Sequence, residues 1–549
     1  MSDTDTHRKH AKVAEDLLPA EAGDGVLNGA AMERDVVDTE GHMRHWMAPV
    51  LVALIGAFMS ILDSSIVNVA VPTIMNVFNA GPSDVQWVST IYLLAMGVVI
   101  PLSGWLGDKF GFKNLYIASL AVFVTGSLLC GLSWDLNSLI VARVFQAFGG
   151  GMIMPTMMAM VFRIVPRKNI GGAMGVFGIS LMMGPAIGPT LGGYLVEYVN
   201  WRWIFTINLP IGVVGILLAW FVLPEFQSKH PGKLDLGGAF SSAIALFSIL
   251  LALSKGEEWG WTDERIVILF AISFFSLILF VYLEFTTKNP LLELRVFKYR
   301  SFLLANLLVV VTTVGMYAGI FYLPLFLQSV RGLGAMQTGL LLMPGAIASG
   351  LMMPITGKLY DKIGARPLAL FGVALLAVLT FAFHNLNLAT ATGTIVLWVT
   401  LRGGVMAFAN MPAQTAALVD VPTELVGRAS SITNIIRSVA GSFGLAVLTS
   451  ILTMRQAVHG ARLTWTLVPS DPIVSSTISH IASAFGGGAR GHGVALAYLK
   501  GVITQTSFIN GVDDVFVAAA AFTVMALIPA VLLKRSSAPA GAQRAPLAE

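Results

Sequence analysis

One ionisable side chain stands out because it lies in the middle of a long apolar run. The stretch SILDSSIVNVAVP (60–72) contains Asp63 and belongs to an apolar run that extends from 47 to 77. Apolar surroundings disfavour the charged form of a carboxyl group, so a carboxylate placed there can take up a proton or face a cation. Asp63 is therefore a candidate for proton exchange. The alternative is a static ion pair that stabilises packing.

Three arginines also lie inside apolar runs, at Arg143, Arg402 and Arg437. A guanidinium group does not lose its proton under ordinary conditions. Arg143 is therefore a candidate partner for a buried acid, either in proton handling or in a structural ion pair. Gln146 follows three residues later and shares a helical face with it.

The later apolar runs 302–328 and 336–357 contain no Asp or Glu. This leaves Asp63 as the single carboxylate expected near the middle of the membrane.

The composition indicates which solvent surrounds these charged residues. The chain has 549 residues, of which 56% are hydrophobic and only 12% are charged. Its mean hydropathy is +0.77, whereas a soluble protein carries about 25% charged residues. A globular core cannot hide this apolar excess, so we expect an all-α integral membrane protein in a lipid bilayer.

A membrane-spanning helix needs about 20 apolar residues. Fourteen runs meet this need: 47–77, 86–107, 115–134, 137–163, 171–197, 201–223, 234–253, 265–284, 302–328, 336–357, 367–386, 393–417, 427–454 and 510–534. We expect all of them to be helices, because only helices and closed barrels satisfy every backbone group in lipid.

The orientation follows from Lys and Arg, which concentrate in cytoplasmic connections. The richer side holds Lys109, Lys113, Arg163, Arg167, Lys168, Lys229, Lys233, Lys288, Arg295, Lys298, Arg300, Lys358, Lys362, Arg366, Arg428, Lys534 and Arg535. We therefore predict a multi-pass protein of the cytoplasmic (inner) membrane with both termini in the cytoplasm.

An internal repeat divides the chain. IPLSGWLGDKFGFK (100–113) and MPITGKLYDKIGAR (353–366) each close a span and open a basic turn. The copies follow spans two and ten, which implies six spans, two extra spans and six more. Related halves with a central site are the architecture of secondary transporters.

The composition and the repeat together predict five segments. They are a disordered cytoplasmic tail (1–46), an N-terminal six-helix bundle (47–223), two extra helices with linkers (224–300), a C-terminal six-helix bundle (301–535) and a second tail (536–549). Within the second bundle, 455–509 is expected to be a long external loop. It is either a tolerated insertion or a hairpin that helps to gate the outer mouth.

The repeated motif is interpreted mainly as a conformational latch between the halves. Its glycines allow close helix approach, and its aspartates can face the positive end of a neighbouring helix. The latch residues are Gly104, Asp108, Gly111, Lys113, Gly357, Asp361, Gly364 and Arg366.

These motifs carry a resemblance. GWLGDKFGFK resembles the signature of the major facilitator superfamily between spans two and three. LDSSIVNVAVP (62–72), LIVARVFQAFGGG (139–151) and GISLMMGPAIGPTLGG (178–193) resemble the first-, fourth- and fifth-span motifs of its fourteen-span drug:proton antiporters, the EmrB/QacA type. WRWIFTINLPIG (201–212) and GVDDVF (511–516) also fit, so the similarity runs from about 45 to 535.

The resemblance implies a proton-coupled antiporter that exports amphiphilic drugs or toxic organic compounds by alternating access. It assigns proton coupling to Asp63 and Arg143, with Asp63 serving both proton and drug. It links span five to antiport through Gly184, Pro185, Gly188, Pro189, Gly192 and Gly193. The alternatives are a dedicated exporter of one metabolite, antibiotic or siderophore and, less favoured, a non-transporting membrane receptor.

Several side chains are candidates for the wall of a substrate cavity, although each is more often a helix–helix contact. They are Asp63, Trp87, Tyr92, Gln146, Tyr317, Phe321, Asn410 and Asn434. Trp87 and Tyr92 with Tyr317 and Phe321 would form an aromatic wall.

The sequence does not point to an enzyme, a cofactor or a metal site. It contains no phosphate-binding GxxxxGK[ST] pattern, its His residues lack metal-ligand spacing, and the single Cys130 excludes an intrachain disulfide. No concentrated basic patch predicts nucleic-acid binding. The expected partners are small amphiphilic substrates, protons and lipid, with a periplasmic adaptor and outer-membrane channel if the cell has an outer membrane.

Overall fold

A computed structural model describes residues 46–166, 169–225, 233–422, 425–466 and 472–533. Throughout these ranges the regular structure is helical and no strand occurs. Most of the predicted tails, 1–46 and 536–549, and the predicted basic residues Arg167, Lys168, Lys229, Lys534 and Arg535 lie outside the described residues.

The described residues contain thirteen helices that are long and apolar enough to cross a membrane. A further pair of helices, 84–99 and 102–110, passes the same test when counted together, which brings the number of spans to fourteen. The pair is bent by 56° at Ile100 and Pro101. Proline lacks an N–H and its ring clashes with the preceding turn, so the helix breaks there.

The spans coincide with the fourteen predicted runs and extend beyond several of them. The first half consists of Met47–Phe78 (span one), Pro82–Val99 with Leu102–Phe110 (two), Phe112–Gly131 (three), Leu136–Ile164 (four), Ile170–Tyr194 (five) and Trp203–Thr206 with Asn208–Val222 (six). The extra spans are Leu236–Trp259 (seven) and Glu264–Thr286 (eight).

The second half repeats the order of the first. It consists of Arg300–Tyr317 with Leu323–Ser329 (span nine), Ala335–Ile363 (ten), Ala365–Ala382 (eleven), Thr392–Val419 (twelve), Val426–Thr466 (thirteen) and Gly488–Met525 with Leu527–Leu532 (fourteen). Short π-helical turns end span five at Leu195–Val199 and interrupt span nine at Ala318–Tyr322.

Spans five and ten form the most extensive contact between the halves. The contact runs from Gly171 against Gly357 at one end to Gly193 against Met336 at the other. Spans four and thirteen also meet, as do the second helix of span two and span thirteen. Span seven packs against both span two and span thirteen, so the extra pair lies alongside the junction of the halves.

The segment 455–509 differs from the predicted loop. Span thirteen continues as helix to Thr466, a separate helix covers Pro472–Ala484, and Gly488 begins the helix of span fourteen. The segment is therefore largely helical, because the end of an apolar run is not the end of a helix, and a role in gating the outer mouth stays a prediction. Outside lipid a helix tolerates polar residues. Arg455 and His459 on the extension contact Asp514 of span fourteen at 2.6 and 2.7 Å.

Candidate functional site

Asp63 lies inside the first half and is completely buried. Its Oδ2 accepts a hydrogen bond from Arg143 Nη1 at 2.6 Å, and its Oδ1 accepts one from Gln146 Nε2 at 2.9 Å. Arg143 Nη1 also donates to Gln146 Oε1 at 2.7 Å, which orients the amide. The structure thus brings Asp63, Arg143 and Gln146 together across spans one and four.

Two further residues complete this network, and sequence reasoning did not select them. Asn208, at the start of span six, donates to Asp63 Oδ1 at 2.9 Å and to Ser127 Oγ at 3.0 Å. Gln146 Nε2 also donates to Ser127 Oγ, at 3.1 Å. The available signal was the stretch WRWIFTINLPIG, which contains Asn208 in an otherwise apolar helix.

Arg143 has neutral partners besides the carboxylate. Its Nε donates to the Val88 carbonyl oxygen at 3.2 Å, and its guanidinium lies 4.0 Å from the centroid of the Tyr92 ring. Removing one member of a buried ion pair usually costs several kcal/mol, because the other charge is left uncompensated. These neutral contacts would hold Arg143 in place when Asp63 is neutral.

Burial changes the interpretation of three predicted cavity residues. Asp63, Gln146 and Tyr92 are each at most 1% exposed. Tyr92 packs on Arg143 and its hydroxyl lies 3.4 Å from Ser60 Oγ. In this conformation no drug can touch Asp63, so the expectation that one carboxylate contacts both proton and drug does not fit the geometry. The reason is that all three side chains point into the first bundle.

The second copy of the repeated motif connects the halves at the end of the bundle that carries the Lys/Arg-rich connections, here called the basic end. Asp361 at the end of span ten accepts hydrogen bonds from the backbone N–H groups of Gly171 and Gly172 at 3.0 and 3.3 Å. The first turn of span five thus has two of its free N–H groups satisfied by the other half. A Cβ on Gly357 would lie 2.1 Å from the Gly171 carbonyl oxygen.

The first copy makes the corresponding connection with span thirteen. Asp108 forms ion pairs with Arg428 at 3.7 Å and with Arg163 at 3.6 Å. Ser103 Oγ lies 2.9 Å from Ser431 Oγ across the same junction. A Cβ on Gly104 would lie 3.3 Å from Arg428 Cα. Both copies therefore join the halves at the basic end.

The remaining latch residues lie at the helix ends. Gly111 and Gly364 have φ of 82° and 79°, which L side chains rarely adopt, and each separates one span from the next. Lys113 and Arg366 lie just beyond these glycines. They form no ion pair with any other described residue.

The span-five motif lies in a continuous helix that includes Pro185 and Pro189. Its glycines face different neighbours. A Cβ on Gly184 would lie 2.5 Å from the Ile61 side chain, and one on Gly188 would lie 2.4 Å from Ser65 Oγ, both on span one. Gly192 approaches Ile66, and Gly193 approaches Met336 of span ten. The motif thus packs span five between the halves.

A narrow cavity lies between the halves. Met158 and Phe177 line it from spans four and five. Gln414, Asn434 and Arg437 line it from spans twelve and thirteen. Of the predicted cavity residues, Asn434 lies here. Asn410 Nδ2, one turn before Gln414, is buried without a hydrogen-bond partner.

The predicted aromatic residues do not form one wall. The Lys255 ammonium lies 5.3 Å from the centroid of the Trp87 ring. The Tyr317 ring packs over Gly441 of span thirteen, and Phe321, 45% exposed, packs edge-on against Tyr322. Within the described residues, the rings of Trp87 and Tyr92 make no ring contact with those of Tyr317 and Phe321.

The extra spans contact both halves at the end opposite the basic end. Lys255 of span seven, 1% exposed, bonds Glu258 at 2.5 Å and lies 3.5 Å from Gln86 Oε1 of span two. Ser450 of span thirteen donates to Glu257 at 2.8 Å and accepts from Trp261 Nε1 at 2.8 Å. Beside this contact lies an apolar groove of about 530 Å³ between spans seven, eight and thirteen.

The fold and the site define a multi-pass, all-helical membrane protein with two repeated halves. Residues 53–445 match the Major Facilitator Superfamily. The chain belongs to that family, which confirms the predicted fold, and it is a transporter rather than an enzyme.

Related proteins agree with this assignment. The chain is 33% identical to the uncharacterized MFS-type transporter YhcA of Bacillus subtilis, over 90% of this chain and 94% of the relative. It is 31% identical to the multidrug resistance protein B homolog of Mycobacterium tuberculosis, over 90% and 91%. A solved structure, the human organic anion transporter MFSD10, aligns with a TM-score of 0.56 over 89% of this chain and all of that one. At 12% identity this last likeness shows the fold alone.

Proposed function

We propose that this transporter exports amphiphilic drugs or toxic organic compounds in exchange for protons, by alternating access. Support for the substrate class comes from relatives named for resistance. They include the multidrug resistance protein B homolog and, at 30% identity over 79% of this chain, the lincomycin resistance protein LmrB of Listeria monocytogenes.

The observation that carries the proton coupling is the sealed contact of Asp63 with Arg143. The three donors around Asp63 all suit its ionised form, so protonation removes the charge attraction to Arg143 and weakens the network that joins spans one, four and six. A proton bound there changes the packing of the first half, which is how one buried group can bias a two-state movement. The proton site and the drug site are then separate, with the drug bound between the halves.

The contacts at the basic end supply the second part of the proposal. The described conformation is closed there by Asp361 on Gly171 and Gly172 and by Asp108 on Arg428. Alternating access requires these contacts to break when the cavity opens to that end. The repeated motif acts as the latch, and protonation of Asp63 biases its opening through spans four and five.

We place the protein in the cytoplasmic (inner) membrane with both termini inside. The Lys/Arg-rich connections support this orientation. Drug then leaves the cytoplasm while a proton enters. A periplasmic adaptor would join only in a cell with an outer membrane.

The test is substrate-driven proton movement in proteoliposomes with a pH-sensitive dye, using cationic, neutral and anionic fluorescent compounds. Asp63→Asn keeps the shape of the side chain but cannot exchange a proton, so uphill efflux driven by a pH gradient should disappear. Asp84→Asn is the matched control, since Asp84 is an exposed carboxylate of the same half. Wild-type proton-coupled efflux from Asp63→Asn would refute the proposal. Acceptance of one compound alone would favour the dedicated exporter.

A further inference from the structure

We propose that Arg437 is the anion-binding subsite of the export pathway, and that the preferred substrates are amphiphilic organic acids whose carboxylate pairs with its guanidinium. The inference rests on the proposed export function and specifies its substrate class.

Arg437 differs from the other membrane arginines in having only a neutral phenol, that of Tyr317, as its ionisable neighbour among the described residues. Arg143 pairs with Asp63 at 2.6 Å, and Arg402 donates to the Gly315 carbonyl oxygen at 2.8 Å. Arg437 lines the cavity between the halves and makes no hydrogen bond or ion pair with any other residue in the described ranges. A charge in the membrane interior without a partner marks a functional site, because its insertion is costly.

Neighbouring polar atoms are also unpaired. Gln414 Oε1 and Thr433 Oγ1 are buried without hydrogen-bond partners, and these residues are only 7% and 4% exposed. Both residues line the same cavity as Arg437. Buried polar atoms in proteins are nearly always hydrogen-bonded. The Thr433 hydroxyl can donate to an entering carboxylate, whereas Gln414 Oε1 is an acceptor and pairs with a donor such as water.

The charges around the cavity select the sign of that molecule. Met158 and Phe177 contribute apolar surface from the first half, and span twelve contributes Gln414 and Leu418. Span thirteen contributes Ser430, Thr433 and Asn434 with Arg437. None of these residues is acidic. An organic cation here would meet the guanidinium with no carboxylate to offset the repulsion, whereas a carboxylate matches its planar donor fork.

The cavity is small in this conformation, about 10 Å³, which is room for roughly one water-sized group. It fits only the acidic head of an amphiphile. Because its walls belong to both halves, separating them enlarges the space beside Met158 and Phe177, where an apolar body can follow. The carboxylate thus binds Arg437 while the hydrophobic part contacts the first half.

The test compares three probes that share a naphthyl group and differ in their polar group: naphthaleneacetate, naphthaleneacetamide and naphthylethylamine. Binding is measured calorimetrically on the full chain in nanodiscs of phosphatidylcholine, which has no net charge, without a proton gradient. Wild type should bind the acid roughly 10- to 100-fold more tightly than the amide, as expected for a hydrogen bond to a charged group. The amine should bind most weakly.

Three variants make the test specific. Arg437→Gln should bring the acid and amide to equal affinity. Arg402→Gln, which removes a guanidinium outside this cavity, should keep the acid preference. Gln414→Glu places a carboxylate beside Arg437, which pairs with the guanidinium and should abolish the preference for the acid over the amide. Thermal melting confirms that each variant folds. If Arg437→Gln does not fold, Gln414→Glu still tests the proposal.

Equal binding of the three probes by wild type, or an acid preference that survives in Arg437→Gln, would overturn the inference. Either result leaves the proton-coupling test on Asp63 standing, since no proton gradient is used. Conversely, proton-coupled efflux by Asp63→Asn would refute the coupling while leaving an Arg437-dependent acid preference intact.

Discussion

The two halves should close at the basic end only because Gly171 has no Cβ. A Cβ there would lie 2.4 Å from the Gly357 carbonyl oxygen and 2.5 Å from Asp361 Oδ1. Since the first of these atoms is backbone, Gly171→Ala must push spans five and ten apart. Overpacking typically costs about 1–3 kcal/mol, which corresponds to a shift of roughly 5- to 150-fold towards conformations open at this end.

Gly172→Ala is a closely matched control. A Cβ at Gly172 meets nothing within 4 Å, and its N–H still reaches Asp361. Both variants gain the same helix propensity, about 1 kcal/mol for alanine over glycine, so a difference between them reports the contact alone.

The assay is a spin-label distance measurement between cysteines at Asn114 and Lys362, which are exposed on opposite halves near the latch. The native Cys130 is buried and should not react. Gly171→Ala should lengthen the main distance, while Gly172→Ala should match the parent. Identical distance distributions in both variants would show that the close contact does not hold this end shut.

Two further predictions concern the network and the extra spans. Asn208→Ala removes a hydrogen bond to the ionised Asp63, worth about 1.5–3 kcal/mol. Proton-coupled efflux at a fixed pH gradient should therefore fall, and wild-type efflux would exclude a role for Asn208. Ser450→Ala removes the contact of span thirteen with Glu257 and Trp261 and should lower stability by about 0.5–1.5 kcal/mol in thermal melting. Thr453→Ala, whose hydroxyl bonds only its own helix, should leave the melting temperature unchanged, and equal melting of the two variants would contradict the bridging role.

Part of the candidate site could be predicted, because some of its residues are close in sequence and one is of a type that is rare in apolar runs. Arg143 and Gln146 are three residues apart on one helix, so their shared face follows from helix geometry. Asp63 stood out because a carboxylate in an apolar run is rare. Asn208 was not found, because its distance from Asp63 along the chain is 145 residues and asparagine in a membrane helix is less exceptional than a charge.

The helix ends were harder to predict than the helices. The apolar runs indicate where lipid surrounds the chain, but a helix continues wherever its backbone remains satisfied. Span thirteen therefore extends to Thr466, beyond the predicted run that ends at 454. For this reason the helices on either side of the predicted loop reach into it, to Thr466 and from Gly488.

The sequence by itself determined that lipid surrounds the chain, that there are fourteen spans in two repeated halves, and which family the chain belongs to. These depend on composition and on spacing along the chain, which are local quantities. Only the tertiary structure decided which way the side chains face. Asp63 proved to be sealed inside one half, and Arg437 proved to face the cavity between the halves. Lipid is as apolar as a helix interface, so most faces of a membrane helix are apolar and periodicity does not mark the inner one. The rotation of each helix about its axis is set by packing against neighbours far away in the sequence.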